Sequence, residues 1–405
     1  MAETKSSGPH PIVYLFLCTP FGASNGYLIV TLAYQLSHAH VSVAAISGLI
    51  ALSLVPQTWK PLWAPLVDTT LNSKLWYVLA ALASAATLGS IGLFPISQAG
   101  LTSITILVVT NSAATTFLAM AAENLMAHAT SHDQKGRAGG WYQAGNLGGQ
   151  GVGGGAALWL AVNFGYAWLP GAAMAALFMA CCLALFFIAE PPADHRHASY
   201  VTSLTNVFKD VWNTAKLRTG YLAVLICFLP IGSGAAANLW SSVSGDWHAS
   251  ANVVALVNGV LGGAVSAAGC VVGGFLCDRM DRKFAYALFG LFLSAAALGM
   301  LVAARTPMSF VVFTLLYAFI SGLNYGSFSA VVLDAIGKGA AATKYNILAG
   351  LSNVPILYMT SIEGLAYERW HSSGLLWSDA LAGIVGVAFF YAVAILTRPR
   401  VAVAV

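Results

Sequence analysis

Charge is what this chain has least of. Only 8% of its 405 residues are Asp, Glu, Lys or Arg, while 58% are hydrophobic; soluble domains carry roughly 25% charged residues. Mean hydropathy is +0.76. A soluble fold of this length needs far more ionisable surface, so soluble folds are excluded and the chain is solvated mainly by lipid. Metal-type cysteine spacing is also missing. Cys18, Cys181, Cys182, Cys227, Cys270 and Cys277 lie in or beside apolar runs without a CxxC pair, which argues against a zinc site or a disulfide framework. There is no basic stripe either: the net charge of +4 is scattered between apolar runs, and a nucleic-acid partner is not expected. Gly149–Gly154 reads GQGVGG and fits G-x-G-x-x-G, yet no strand precedes it. Small residues for close helix packing explain it better, and no cofactor or metal is expected. The first apolar run, from Ile12, lacks a strongly basic leader and continues past Gln35, unlike a cleavable signal peptide.

What the chain has instead is apolar runs long enough to cross a hydrocarbon core of about 30 Å. They fall near 12–36, 41–60, 75–95, 101–126, 138–163 and 167–189, then 219–243, 253–276, 284–304, 308–333, 343–366 and 376–396. The pattern predicts an all-α membrane protein of about twelve transmembrane helices in two pseudo-symmetric six-helix halves. These are 1–189 and 219–405, joined by a polar linker at 190–218. With both termini on the cytoplasmic side, 16 of the 18 cations fall inside and only Arg305 and Arg369 outside, as the positive-inside rule requires. The halves echo each other. Pro20 and Gly22 recur as Pro230 and Gly232, and Asp68 as Asp278, at an offset of 210; Glu123 and Asp334 are 211 apart. Duplicated halves around a central site suit a solute that is exposed to each side in turn.

Two segments carry a resemblance. Gly274–Lys283, GFLCDRMDRK, resembles the loop motif of the major facilitator superfamily through Gly274, Asp278, Arg279, Arg282 and Lys283. Pro56–Asp68, PQTWKPLWAPLVD, is similar to a pattern of the AmpG-type muropeptide permeases and the related acetyl-coenzyme A transporters; Ser24–Gly26 and Tyr345–Asn353 add to it. The chain departs from that family where Glu123, Asn124 and Leu125 replace its usual Asp-Ala-Tyr. The resemblance implies the major facilitator fold and transport by alternating access, in a bacterial inner membrane.

The few polar residues then take candidate roles. Asp68 and Asp278, at matched loop positions, are expected to gate together with Arg279 and Arg282, by contacts that form in one conformation only. Glu123 and Asp334 close apolar runs, where an ionisable group marks function, and are the candidate proton carriers; pairing with Lys135 or Lys344 is the plainer alternative. Glu363 and Asp379 are expected to be interfacial, within reach of Arg369. The resemblance turns four runs toward the cavity, and each carries an asparagine: Asn25, Asn111, Asn238 and Asn324. Tyr27, Thr115, Gln143, Asn146, Tyr325 and Asn353 extend this substrate-binding set, with Gln150, Asn258 and Tyr358 beside it. Any of these amides can instead bond helix to helix. With no deep cation, the set suits a neutral or zwitterionic polar solute. A monomeric secondary active transporter, with protons as the candidate coupling ion, is the expectation. A polytopic membrane enzyme and a non-transporting sensor are the alternatives; no catalytic residue is assigned, since all nine histidines lie in loops or near run ends.

Overall fold

The described residues of the twelve apolar runs are mostly helical in the computed structural model, which describes residues 9–129, 135–190, 200–277, 279–336 and 347–397. Among the described residues there is no strand. The helices are α1 Val13–His38, α2 Val43–Thr58, α3 Lys60–Thr69, α4 Ser73–Ile91, α5 Leu101–Ala129, α6 135–164, α7 Leu169–Phe187, α8 Tyr200–Lys216, α9 Arg218–Phe228, α10 Ala251–Cys277, α11 Arg282–Val302, α12 Pro307–Ile336, α13 347–370 and α14 372–396. Eight stretches are long and apolar enough to cross a membrane, the last of them holding both α13 and α14. The expected polar linker contains a helix of its own, α8, which packs against α3 and exposes Trp212.

Local chemistry sets the ends and breaks. Side chains of Ser42, Asn72 and Asp281 accept from the backbone N–H groups of Ala45, Leu75 and Phe284 at 3.2, 2.7 and 2.9 Å, capping α2, α4 and α11. The Glu190 carboxylate accepts from the Ser73 and Lys74 N–H groups at 2.8 and 3.1 Å, a negative charge at the positive end of α4. α2 stops at Trp59, and Pro61 starts α3 at a position where its missing N–H costs nothing.

The matched Pro-Gly positions behave differently. Pro20 is absorbed inside α1. At Pro230 the helix ends: Leu229 is extended (φ −88°, ψ 144°), as a residue before proline prefers, and Gly232 and Gly234 adopt φ of +60° and +68°. The continuous run expected at 219–243 is thus α9, a broken stretch and short turns over 235–247. Between α13 and α14 the chain folds back at Trp370 (φ −134°, ψ 18°) and His371 (φ 51°, ψ −153°).

Glycine decides how closely the helices approach. On one face of α6, a Cβ at Gly145, Gly149 or Gly153 would strike the α1 backbone at Leu15, Thr19 or Ala23. On another face Gly151 and Gly155 meet α10 at Val260 and Ala255. The GQGVGG segment is packing surface, as its sequence suggests. Gly269, Gly273, Gly322 and Gly326 bring α10 and α12 together in the same way. α1, α6 and α10 also each contain a π-helical segment (Tyr27–Leu32, Val152–Ala156, Ala255–Leu261), and these pack on one another.

The apolar clusters divide the molecule by depth. One large cluster joins residues from both sides of the linker, from Ala23 to Phe178 and from Ala236 to Ala380. It lies toward the end where α1 meets α2 and α13 meets α14. At that end Ser37 donates to the Ser242 carbonyl, the Ala44 N–H donates to Glu368 at 3.0 Å, and Gly364 touches Ser47. Toward the opposite end the clusters separate: one holds only residues 13–188, the others only residues 222–390. Among the described residues, then, the apolar clusters join the two sides of the linker at one end of the bundle and stay separate at the other, parted end.

Gly148 and Gly149 offer a controlled test of the glycine contact. Nothing lies within 4 Å of a Cβ at Gly148, whereas at Gly149 it would strike Thr19 O and lie 2.9 Å from Ala23 N. Gly149→Ala is expected to destabilise by about 1–3 kcal/mol, the scale of overpacking, and Gly148→Ala to leave stability unchanged or raised. Thermal unfolding of the two variants in detergent checks this.

Candidate functional site

Midway along the bundle lies a cavity of about 210 Å³. Its wall comes from α1, α2 and α6 on one side and from the broken 229–247 stretch, α10, α12 and α13 on the other. The break after Pro230 matters here: Ser233, Gly234, Ala237 and Asn238, at or just past it, all reach the wall. Irregular backbone is tolerated at membrane depth where it lines such a space.

The wall is polar but uncharged. It carries Asn25, Ser53, Gln57 and Gln150 on one side, and Ser233, Asn238, Asn258, Ser266, Thr314, Tyr317, Ser321, Tyr325 and Asn353 on the other; no Asp, Glu, Lys, Arg or His is among its residues. Some of these groups are bound to one another or to neighbours. Gln57 donates to Asn25 at 3.2 Å, Asn238 to Thr360 at 3.0 Å, Asn258 to Ser241 at 2.9 Å, and Asn353 to the Gly350 carbonyl at 3.3 Å. Three side-chain atoms of wall residues, Trp240 Nε1, Thr314 Oγ1 and Asn258 Oδ1, are buried and have no hydrogen-bond partner among the described residues. Leaving a buried donor or acceptor unpaired costs about 1–3 kcal/mol, so a polar group that reached these atoms would recover that cost.

The polar residues named from the sequence divide by location. Asn25, Asn238, Tyr325 and Asn353 are at the cavity wall, joined there by Gln150 and Asn258. Asn324 and Tyr325 line a smaller pocket beside Gly232. Tyr27 is buried with its hydroxyl unpaired; Asn111 donates to Ser24, and Thr115 to the Ser112 carbonyl at 3.2 Å, bonds within the bundle. Gln143 is exposed and accepts from Asn146 at 3.4 Å. Tyr358 donates to the Phe228 carbonyl at 3.0 Å. Gln57, Thr314, Tyr317 and Trp240 are wall residues the sequence did not single out.

The acids are held differently. Glu123 is bonded through both oxygens to Lys60 Nζ at 2.6 Å, with Tyr142 at 3.3 Å. Lys60, turned by the α2–α3 break, is its partner in place of the expected Lys135 or Lys344; Lys344 lies outside the described residues, as does the side chain of Lys135. The pair is 18% and 25% exposed. Asp278, and the side chains of Asp68 and Asp334, also lie outside the described residues. Arg279, just past the end of α10, stacks on Phe275 of that helix, 3.4 Å from the ring centre, and Arg282 is partly exposed at the start of α11.

Glu363 and Asp379 are not interfacial, which corrects the expectation. They are 0% and 6% exposed, and their carboxyls lie against each other. The cause is the tight turn: helix persists to 370 and resumes at 372, so both acids lie about two turns, or 12 Å, inside the corner. Arg369 rests over Trp370 at 5.3 Å instead. Among the described residues the ion pair is Lys60–Glu123.

Comparison with known proteins agrees with this geometry. The chain is similar in structure to the nucleoside transporter NupG in mutant form, with a TM-score of 0.72 at 14% identity over 94% of this chain and 98% of that one. It is similar to a D-xylose–proton symporter, at 0.73 and 13% over 94% and 96%. The xylose transporter XylE from E. coli in a partially occluded inward-open conformation gives 0.67 and 12% over 94% and 97%. No curated protein sequence matches. The sequence itself matches the Major Facilitator Superfamily over residues 13–358, and the chain belongs to that superfamily of membrane transporters.

Proposed function

We propose that the protein is a secondary active transporter that moves a small, uncharged or zwitterionic polar solute by alternating access, with proton symport as its energy source. The observation that carries this is the central cavity, walled by both six-helix halves and lined by polar but uncharged residues. Rocking of the halves about the α2–α13 and α6–α10 contacts would open it at one end and then the other. The parted end, where Tyr325 is 55% exposed at the cavity wall, faces the cytoplasm in the orientation that the cations favour, with both termini on that side. This is an inward-facing state.

The cavity volume bears on the solute. At about 210 Å³ it is smaller than the roughly 300–1,000 Å³ of sites for drug-sized ligands. A solute of sugar or nucleoside size fits this state better than a muropeptide. The narrower likeness to AmpG-type permeases rests on Pro56–Asp68, where Lys60 serves the pair with Glu123. We retain Glu123 and Asp334 as candidate proton carriers and Asp68, Asp278, Arg279 and Arg282 as candidate gating groups, and take the transporter as a monomer in a bacterial inner membrane.

Uptake into proteoliposomes tests the function. At least one of xylose, uridine, a dipeptide and an anhydro-muropeptide is expected to enter faster under an inward proton gradient; absence of flux for all four would overturn the proposal. Trp240→Phe keeps an aromatic ring and removes the unpaired donor, and is expected to raise KM about fivefold, the worth of one hydrogen bond of about 1 kcal/mol. Glu123→Gln is expected to reduce gradient-driven uptake to the level measured without a gradient; uptake at the parent rate removes Glu123 from the coupling path.

A further inference from the structure

Glu363 of α13 and Asp379 of α14 stand equally far on either side of His371, and the hairpin there presses their carboxyls together in the interior. Asp379 has a donor: the Tyr317 hydroxyl lies 3.1 Å from each of its oxygens. Glu363 has none. Neither of its oxygens is reached by any N–H or O–H of the described residues, although both are buried. Its carboxyl neighbour among the described residues is Asp379, itself an acceptor, and Tyr317 is the titratable group facing both from α12.

Several other ionisable groups at this end have partners of their own. Tyr367 donates to Asp246 at 3.0 Å, Arg305 stacks on Trp247 at 4.2 Å, and Glu368 accepts from the Ala44 N–H. Two acceptors in contact, with no donor for one of them, can be reconciled by a proton between them. As two carboxylates they would place like charges side by side in an apolar interior, a cost that only an added proton or cation removes. Among the described residues no cation pairs with either acid.

We propose that Glu363 and Asp379 form a proton-binding site, distinct from Glu123 and Asp334, in which Glu363 carries a proton and donates it to the Asp379 carboxylate. The pair in this state has one negative charge. A second proton, from water on the closed side when that end opens, adds to Asp379 and makes the pair neutral; its release restores the single charge, with no other bond made or broken. Tyr317 links the site to the solute. Its ring packs edge-on against Trp240 at 5.4 Å, both are wall residues of the cavity, and its hydroxyl is bonded to Asp379. The coupling role of this second proton rests on the symport proposed above; the shared proton does not.

Infrared spectroscopy of the purified full-length protein in lipid reads the shared proton without any solute. A carboxylic-acid carbonyl band is expected at neutral pH in the parent protein. It is expected to be lost in Glu363→Gln and displaced in Asp379→Asn, where an amide replaces the carboxylate that accepts the proton. Glu368→Gln, at an acid outside the pair, is expected to leave it unchanged. Absence of the band in the parent, its survival in Glu363→Gln, or an unmoved band in Asp379→Asn would each overturn the site, and the last of these does not depend on Glu363→Gln folding.

Transport of whichever probe, xylose or uridine, enters the parent proteoliposomes reads the coupling. Asp379→Asn is expected to retain solute exchange and lose gradient-driven accumulation, while accumulation at the parent level would overturn the coupling role. If the parent accumulates neither probe under a gradient, symport of these solutes fails, and the infrared result still decides whether the pair holds its proton.

Discussion

The architecture depends on how closely α6 lets two other helices approach it. Lipid tails are as apolar as leucine, so helices in a bilayer are not driven together by the hydrophobic effect; contact comes from dense packing and from hydrogen bonds, both of which need close backbones. α6 supplies this on two faces, with Gly145, Gly149 and Gly153 against α1 and Gly151 and Gly155 against α10. The first contact holds its own half together. The second crosses to the other half and places Gln150 and Asn258 on the same cavity wall. A stripe of glycines also keeps the surface smooth, which suits a contact that has to tilt as the halves rock. The π segments at this level widen each helix locally and offset the side chains that would otherwise collide.

The ends of the bundle follow from the same economy of contact. One apolar cluster crosses between halves on the closed side, whereas on the parted side each half keeps its own. Hydrogen bonds across the closed end are few, among them Ser37 to Ser242 and Ala44 to Glu368. Interactions that are few and local can exchange for a similar set at the other end without a large difference in free energy, which a two-state transporter needs. Lys60–Glu123, by contrast, lies within one half.

Much of this was legible in the sequence, for physical reasons that also explain the rest. Runs of about twenty apolar residues can satisfy their backbones in lipid only as helices, so the spans could be read directly, and the glycine pattern in α6 announced its packing. The paired Pro-Gly positions could not be read as fully. Pro20 and Pro230 look equivalent, yet only the second breaks its helix, because Gly232 and Gly234 accept positive φ while Gly22 is held helical against the Asn146 backbone. Lys60 and Glu123 are 63 residues apart, and no local spacing signals their contact. Glu363 and Asp379 were misplaced for a geometric reason: the corner at His371 is tighter than a usual loop, and a few extra helical residues on each side turn an interfacial acid into a buried one.

Separation of the solute wall from the acid pair constrains any coupling between them. The wall has no charge, so a neutral solute gains nothing directly from a proton bound behind Tyr317. The two can then communicate only through the balance of conformations, each binding more tightly to one of them. To shift that balance a hundredfold, protonation must favour one conformation by about 2.8 kcal/mol. The Tyr317 hydroxyl, 3.1 Å from both Asp379 oxygens, would stabilise a charge there. The same tyrosine packs against Trp240, a wall residue whose Nε1 is buried and unpaired among the described residues. A guest that draws on Trp240 and a proton that frees Tyr317 therefore act on one aromatic pair, and a small rotation of that pair is the shortest physical path from the solute to the acids.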